Sequence, residues 1–244
     1  MRRALPWMLV SLAACGGPNP ETLLYELRVV AAVAEPPEVA VGESYQLTAT
    51  IADPLEEGGD WMIWSCLGDE GCLVDQGQLG VDVPTSTQLG VAPVPVWVMA
   101  CAPGACDLPG ATPAQLRDPE TWMQELPLSG VTLASRFTRL TEAPPEERRS
   151  NPVITRSPDT DAVLPETVSP EQEVRLGFDA PGAEAAFGLA TGGGFTMVRY
   201  DVGDEGNTEL VWVAPEERGS VTLYVVFDDE QGGTAVWEAV VEVD

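Results

Sequence analysis

The chain of 244 residues has no histidine and no lysine: all 12 of its basic residues are arginine, set against 39 acids. Each absence removes a chemistry. Without imidazole there is no conventional Ser or Cys triad and no histidine metal ligand. Without a lysine amine there is no Schiff base, no Ser-Lys dyad and no Walker-type phosphate lysine. Carboxylate-based glycoside hydrolysis survives, because it needs only two Asp or Glu side chains, but nothing singles out a pair from so many acids. The net charge of −27 argues against nucleic acid and anionic lipid surfaces, both of which are bound through clustered cations. Strong acidity keeps a protein soluble and monomeric.

Long apolar runs are also missing. A helix crossing a bilayer needs ~20 apolar residues, and the longest such stretch, residues 4–14, gives way at Gly16, Gly17, Pro18 and Pro20. Two arginines, Arg2 and Arg3, precede it, and Leu12-Ala13-Ala14-Cys15 follows. This order of basic, apolar and small residues before a cysteine resembles the signal and lipobox of bacterial lipoproteins, whereas an ordinary secretory signal would leave Cys15 as an odd free thiol. The resemblance implies that residues 1–14 are removed and that Cys15 carries acyl chains such as palmitate on its sulfur and amine. Each buried methylene contributes ~0.8 kcal/mol, so two or more chains hold firmly. In the Gram-negative lipoproteins it resembles, a residue other than Asp after the cysteine, here Gly16, implies the outer membrane, facing periplasm or cell surface. Loss of the leader leaves 10 arginines against 39 acids, a charge of −29, so the lipid must supply the anchorage. Residues 15–23 then read as a flexible tether, its Gly-Gly-Pro-Asn-Pro composition giving ~20–25 Å at full stretch.

Four further cysteines, Cys66, Cys72, Cys101 and Cys106, read as two disulfides in an oxidising compartment. Gly68, Gly71 and Pro103-Gly104 favour the local pairs, with a cross-strand pair such as Cys66 to Cys101 as competitor. The spacing suits zinc poorly, and no metal or other cofactor is expected.

Along the chain the dominant signal is short strands. Residues 24–34 form a first apolar segment. Tyr45, Leu47, Ala49 and Ile51 alternate with polar neighbours, as in a strand with one wet face. Trp61-Met62-Ile63-Trp64-Ser65-Cys66 predicts a more fully buried strand, and shorter pieces follow at 72–74, 88–91 and 94–101. Residues 107–127 differ: Thr112-Pro113-Ala114-Gln115 has the form of a capping box, and Asp118-Pro119-Glu120 repeats the start signal. Two helical turns carrying Leu116, Trp122, Met123 and Leu126 are expected to cover an edge or end of a sandwich. Residues 131–140 predict a strand with Val131, Leu133, Ser135 and Phe137 on one face. Residues 142–151, charged and proline-bearing, predict a linker. Beyond it Val174, Leu176 and Phe178 alternate, residues 195–200 and 209–213 follow, Val221, Leu223, Val225 and Phe227 form the clearest core face, and residues 235–243 close the pattern. Residues 228–233 predict a hairpin connection with glycines at positive φ.

The halves echo each other. Pro37-Glu38-Val39 through Leu47 is matched by Pro165-Glu166-Thr167-Val168 through Leu176 with one extra residue, and Val91-Ala92-Pro93 by Val213-Ala214-Pro215. Seven or so strands per half suit an all-β fold of two tandem sandwiches. The pattern resembles the tandem immunoglobulin-like modules of bacterial envelope lipoproteins, with residues 24–141 as the first sandwich, a helical insertion near 112–126, and residues 152–244 as the second. The resemblance implies a non-enzymatic binding or assembly module, monomeric, with a protein or glycan partner. Acidic clusters at 159–161, 201–207 and 228–230 suit solvated turns better than calcium, since none has EF-hand spacing. Trp61, Trp64, Trp97, Trp212 and Trp237 fall in strands, where core packing competes with a sugar-binding platform.

Overall fold

The computed structural model describes residues 18–67, 71–84, 94–127, 129–157 and 164–244. Cys15, Gly68, the 88–91 segment, the Val91–Pro93 half of the second echo and the 159–161 cluster lie outside them. The first half contributes β1 (Arg28–Glu35), β2 (Glu38–Val39), β3 (Ser44–Ala52), β4 (Asp60–Cys66), β5 (Cys72–Asp75), β6 (Gln78–Asp82), β7 (Val94–Cys101) and β8 (Val131–Leu140), with α1 (Pro113–Arg117) and α2 (Pro119–Glu125) between the last two. These strands build a three-stranded sheet, β1-β3-β6, facing a five-stranded one, β2-β8-β7-β4-β5.

The second half contributes β9 (Thr155–Arg156), β10 (Thr167–Val168), β11 (Glu173–Asp179), β12 (Ala185–Ala190), β13 (Gly194–Phe195), β14 (Arg199–Asp201), β15 (Asn207–Val213), β16 (Gly219–Asp228) and β17 (Thr234–Val243). Its sheets run β13-β15-β11-β9 and β10-β17-β16-β12-β14. Apart from the extra β13, the order repeats that of the first half, down to a two-residue strand running parallel to the last one: β2 beside β8 and β10 beside β17. The fold is all-β, two tandem immunoglobulin-like sandwiches with a short helical insertion in the first. The sequence echo lands on equivalent elements. Val39, Tyr45 and Leu47 occupy the places of Val168, Val174 and Leu176, and the extra residue falls before Val168.

Each sandwich has its own core. In the first, Tyr45, Leu47, Ile63, Val81, Val96, Val98 and Leu140 are buried between the sheets. In the second, Leu176, Phe178, Phe195, Leu210, Trp212, Leu223, Val225 and Phe227 are. Burying one such side chain contributes ~1.5–3 kcal/mol.

β4 and β7 are buried on both faces, and the reason is a third layer. Outward-facing Met62, Trp64, Met99, Cys101 and Val131 pack under Leu108, Leu116 and Trp122. The helical insertion therefore covers the outer face of the five-stranded sheet, and not an edge or end. Thr112 caps α1 in a capping box with Gln115, and the Trp64 indole N–H donates to the Leu116 carbonyl at 2.8 Å. Disulfides Cys66–Cys72 and Cys101–Cys106, with Cα separations of 4.0 and 6.0 Å, close loops beside this layer.

The four residues of β8 expected to share a face do so, and that face points away from the core. Thr138 and Ala134 pair with the core residues Val94 and Val98, so Val131, Leu133, Ser135 and Phe137 form its outer face. The helices cover the Val131 end, and Phe137 is left 52% exposed.

Candidate functional site

Arg136, Arg148, Arg149 and Arg199 lie around the place where the two sandwiches meet. β1 packs on β16 and β17, and a small apolar cluster of Leu24, Ala52 and Tyr224, flanked by Val30 and Leu189, seals the contact. Around it, ion pairs join the two sandwiches directly and through the segment between them. Arg136 of β8 reaches Asp228 at 2.7 Å and donates to the Thr234 hydroxyl and the Gly233 carbonyl.

The expected linker is itself part of this junction. It contains a single 3-10 turn, Pro145–Glu147. Arg148 pairs with Glu43, and Arg149 lies 3.6 Å from Glu38 and 3.8 Å from Asp229. Asn151 bridges both halves, donating to the Ala34 carbonyl and accepting from the Thr234 N–H, each at 2.8 Å. The Arg148 hydrogen bond, with the Ala40 N–H and the Arg148 charge, holds the Glu43 carboxyl below its ordinary range.

The acidic cluster 228–230 owes its position to the β16–β17 hairpin, which turns with Glu230 at φ 55° and Gly232 at φ 115°. Asp229 is buried and accepts from the Gln231 and Gly233 N–H groups at 2.8 and 2.7 Å. Asp228 faces Arg136, Asp229 faces Arg149, and Glu230 faces Arg199 at 2.5 Å. The hydrogen bond and charge of Glu230 push the Arg199 guanidinium above its ordinary range. The cluster is thus neither a calcium loop nor a free solvated turn, because each carboxylate has its own arginine. The 201–207 cluster differs: Asp201, Asp204 and Glu205 are exposed on the β14–β15 turn. Among the described residues no group of three or more Asp, Glu, Cys or His side chains could hold a metal ion.

Beside this network lies a cleft of about 580 Å³ between the sandwiches. Phe137 and Arg139 enter it from β8, Phe187 and Arg199 from β12 and β14, and Glu230 and Gln231 from the hairpin. The Arg199 guanidinium sits 6.0 Å over the Phe187 ring. In the sequence Phe137 is legible only as one of four residues sharing a strand face; its exposure follows from that face pointing away from the core. The six described tryptophans are elsewhere. Trp64, Trp122 and Trp212 are buried, and Trp61, Trp97 and Trp237 are half-buried, so none offers an open platform for a sugar ring.

The end of the expected tether is also in a defined place. Asn19 caps a 3-10 turn, Pro20–Thr22, and its N–H donates to the Phe195 carbonyl at 2.8 Å. The Thr22 hydroxyl, fully buried, donates to the Asn19 carbonyl at 2.6 Å and accepts from the Phe195 N–H at 2.9 Å. Leu24 donates to the Ala190 carbonyl at 2.8 Å. Residues 19–24 thus lie docked on the second sandwich. Gly194 makes room for them, since a Cβ there would stand 2.8 Å from Pro18 Cβ. Their polar composition hid this, because the docking runs through backbone groups and one hydroxyl. Among the described residues no helix is long and apolar enough to cross a membrane.

No family model matches the chain, and no curated protein matches it. It is similar to solved structures at low identity. The Yersinia pseudotuberculosis adhesin InvE is 13% identical, with 93% of this chain and 60% of that one covered and a TM-score of 0.27. Invasin, a bacterial integrin-binding protein, is 11% identical, with 89% and 39% covered and a TM-score of 0.28. SGBP-B of a Bacteroides ovatus mixed-linkage glucan utilization locus, solved in complex with a mixed-linkage heptasaccharide, is 10% identical, with 91% and 48% covered and a TM-score of 0.25. The chain spans 39 to 60% of the length of these structures. Likeness at these scores carries no argument about activity, and the fold rests on the strand order above.

Proposed function

We propose that the chain is an outer-membrane lipoprotein, held by acyl chains on Cys15, whose two sandwiches act as one non-enzymatic binding module with the cleft between them as the binding surface. The observation that carries this reading is Phe137: a half-exposed aromatic ring in a cleft of ligand size at the junction of two domains. Aromatic anchors of this kind carry a large share of binding energy at protein and glycan interfaces. The junction holds Phe137 and Phe187 in fixed register, so the surface is preorganised.

A carbohydrate partner would have to stack on these two phenylalanines, since the tryptophans are committed to packing. A carboxylate hydrolase finds no support. The two acids of the cleft, Asp228 and Glu230, are both engaged by arginines, at 2.7 and 2.5 Å, so neither is presented to a substrate as a free carboxyl.

The test places a photo-crosslinking phenylalanine analogue at position 137 in cells, with Leu55, 58% exposed, as the control position. The reading expects one envelope protein or glycan conjugate at 137 and none at 55. Identical labelling at both positions, or none at either, sinks the cleft as a binding surface. Phe137→Ala is expected to remove binding while changing stability by no more than about 0.5 kcal/mol, as surface substitutions do.

A further inference from the structure

Only three peptide units separate Cys15 from Pro18, a reach of at most ~11 Å, and the docked turn begins at the very next residue. Pro18 lies against Gly194, in the glycine-rich corner of the second sandwich between β12 and β14. This inference rests on the lipid-anchor reading. If Cys15 sits in a bilayer, that corner cannot be further from the headgroups than those three residues allow, and the ~20–25 Å leash expected from composition is cut to about half.

The corner has the chemistry for such a place. Between Glu184 and Asp201 there is no acid, in a chain where about one residue in six is acidic. The stretch carries Gly192, Gly193 and Gly194, an exposed Met197, and Arg199 as its single charge. The acids nearest it are Asp201 and Glu230, both paired with Arg199, with Glu21 in the docked turn, Glu209 on β15, where it pairs with Arg175, and Glu216 and Glu217 beyond Pro215. A segment with no acid of its own and an exposed thioether can approach headgroups with less repulsion than the rest of the molecule would meet.

We propose that residues 191–198 form the surface that faces the bilayer, and that the docking of residues 19–24 holds it there. The second sandwich, although later in the chain, is then the membrane-proximal one. Leu73 of β5 makes a control: it is exposed and lies three strands from β8 in the sheet order, about 14 Å across the sheet.

The acylated full-length chain is reconstituted into phosphatidylcholine vesicles containing a headgroup-level nitroxide lipid, with an environment-sensitive fluorophore on a cysteine at position 197 (Met197→Cys) or 73 (Leu73→Cys). The label at 197 is expected to lose most of its fluorescence and the label at 73 to keep it. Gly194→Val, which leaves no room for Pro18, should restore fluorescence at 197 while the chain remains on the vesicles. Equal quenching at both positions, or none at 197 with Cys15 acylated, overturns the proposal and leaves the anchor standing. An unmodified Cys15 by mass spectrometry, with no vesicle association, overturns both.

Discussion

The five-stranded sheets of the two sandwiches share one strand order, yet their outer faces are covered by different means. In the first, Trp64, Met99 and Val131 lie under two short helices supplied by the same domain and flanked by both disulfides. In the second, Tyr224 and Leu189 lie under Leu24 and Val30, which come from the N-terminal segment and from β1 of the other sandwich. One repeat grew its own lid; the other uses its neighbour as a lid. An apolar outer face has to be covered, and the choice of cover decides whether a domain is self-sufficient or tied to a partner.

The sharpest way to break the comparison is Trp122→Ala. Trp122 is 4% exposed and its ring lies 6.5 Å from that of Trp64, so a loss of about 3–5 kcal/mol is expected in the first sandwich. Denaturant unfolding followed separately in each half would show it, and a cost near zero would mean the helices are not a core layer. Reduction of both disulfides comes next. Each closes a short loop and contributes on the order of 2 kcal/mol. Because the described cysteines all lie in the first half, reductant should lower its transition and leave the second where it was. A common shift would show that the two halves unfold as one.

Leu24→Ala probes the shared cover. Leu24 is 2% exposed but sits at an interface, so the cost belongs at the lower end of the range, about 2 kcal/mol. Small-angle scattering is expected to show the sandwiches separating, and an unchanged profile would move the burden of the junction onto its ion pairs.

The smallest effect concerns Glu43. Its carboxyl is depressed in the folded chain, so its contribution is complete above the ordinary value of 4.5 and is lost as pH falls through the lower, folded value. Because Glu43 is exposed, solvent screens the pair. Acidification from pH 5 to 3 should therefore destabilise the native protein slightly more than Arg148→Ala, and equal slopes would show that the pair is inert.

What the residues disclosed in advance was periodic and local. Tyr45 to Ile51 alternates because one face is wet, and the Pro37 and Pro165 echoes mark equivalent turns. Thr112 and Gln115 announced their capping box because all its atoms lie within four residues. What stayed hidden depended on distant partners. The sidedness of β8 turned on a helical layer that leaves Phe137 bare, and the acids at 228–230 turned on arginines up to 92 positions away in the chain. Thr22 meets Phe195 across 173 residues, and no pattern of composition records such a meeting.

That last contact also sets an order in time. The docking of residues 19–24 cannot form until Phe195 and Ala190 exist as folded backbone, and contacts of such sequence separation close late. A chain that leaves a translocation pore N-terminus first would therefore build the first sandwich and its helical lid early. The strap would stay undone until the second sandwich had folded, so its closure would be the molecule's own signal of completion.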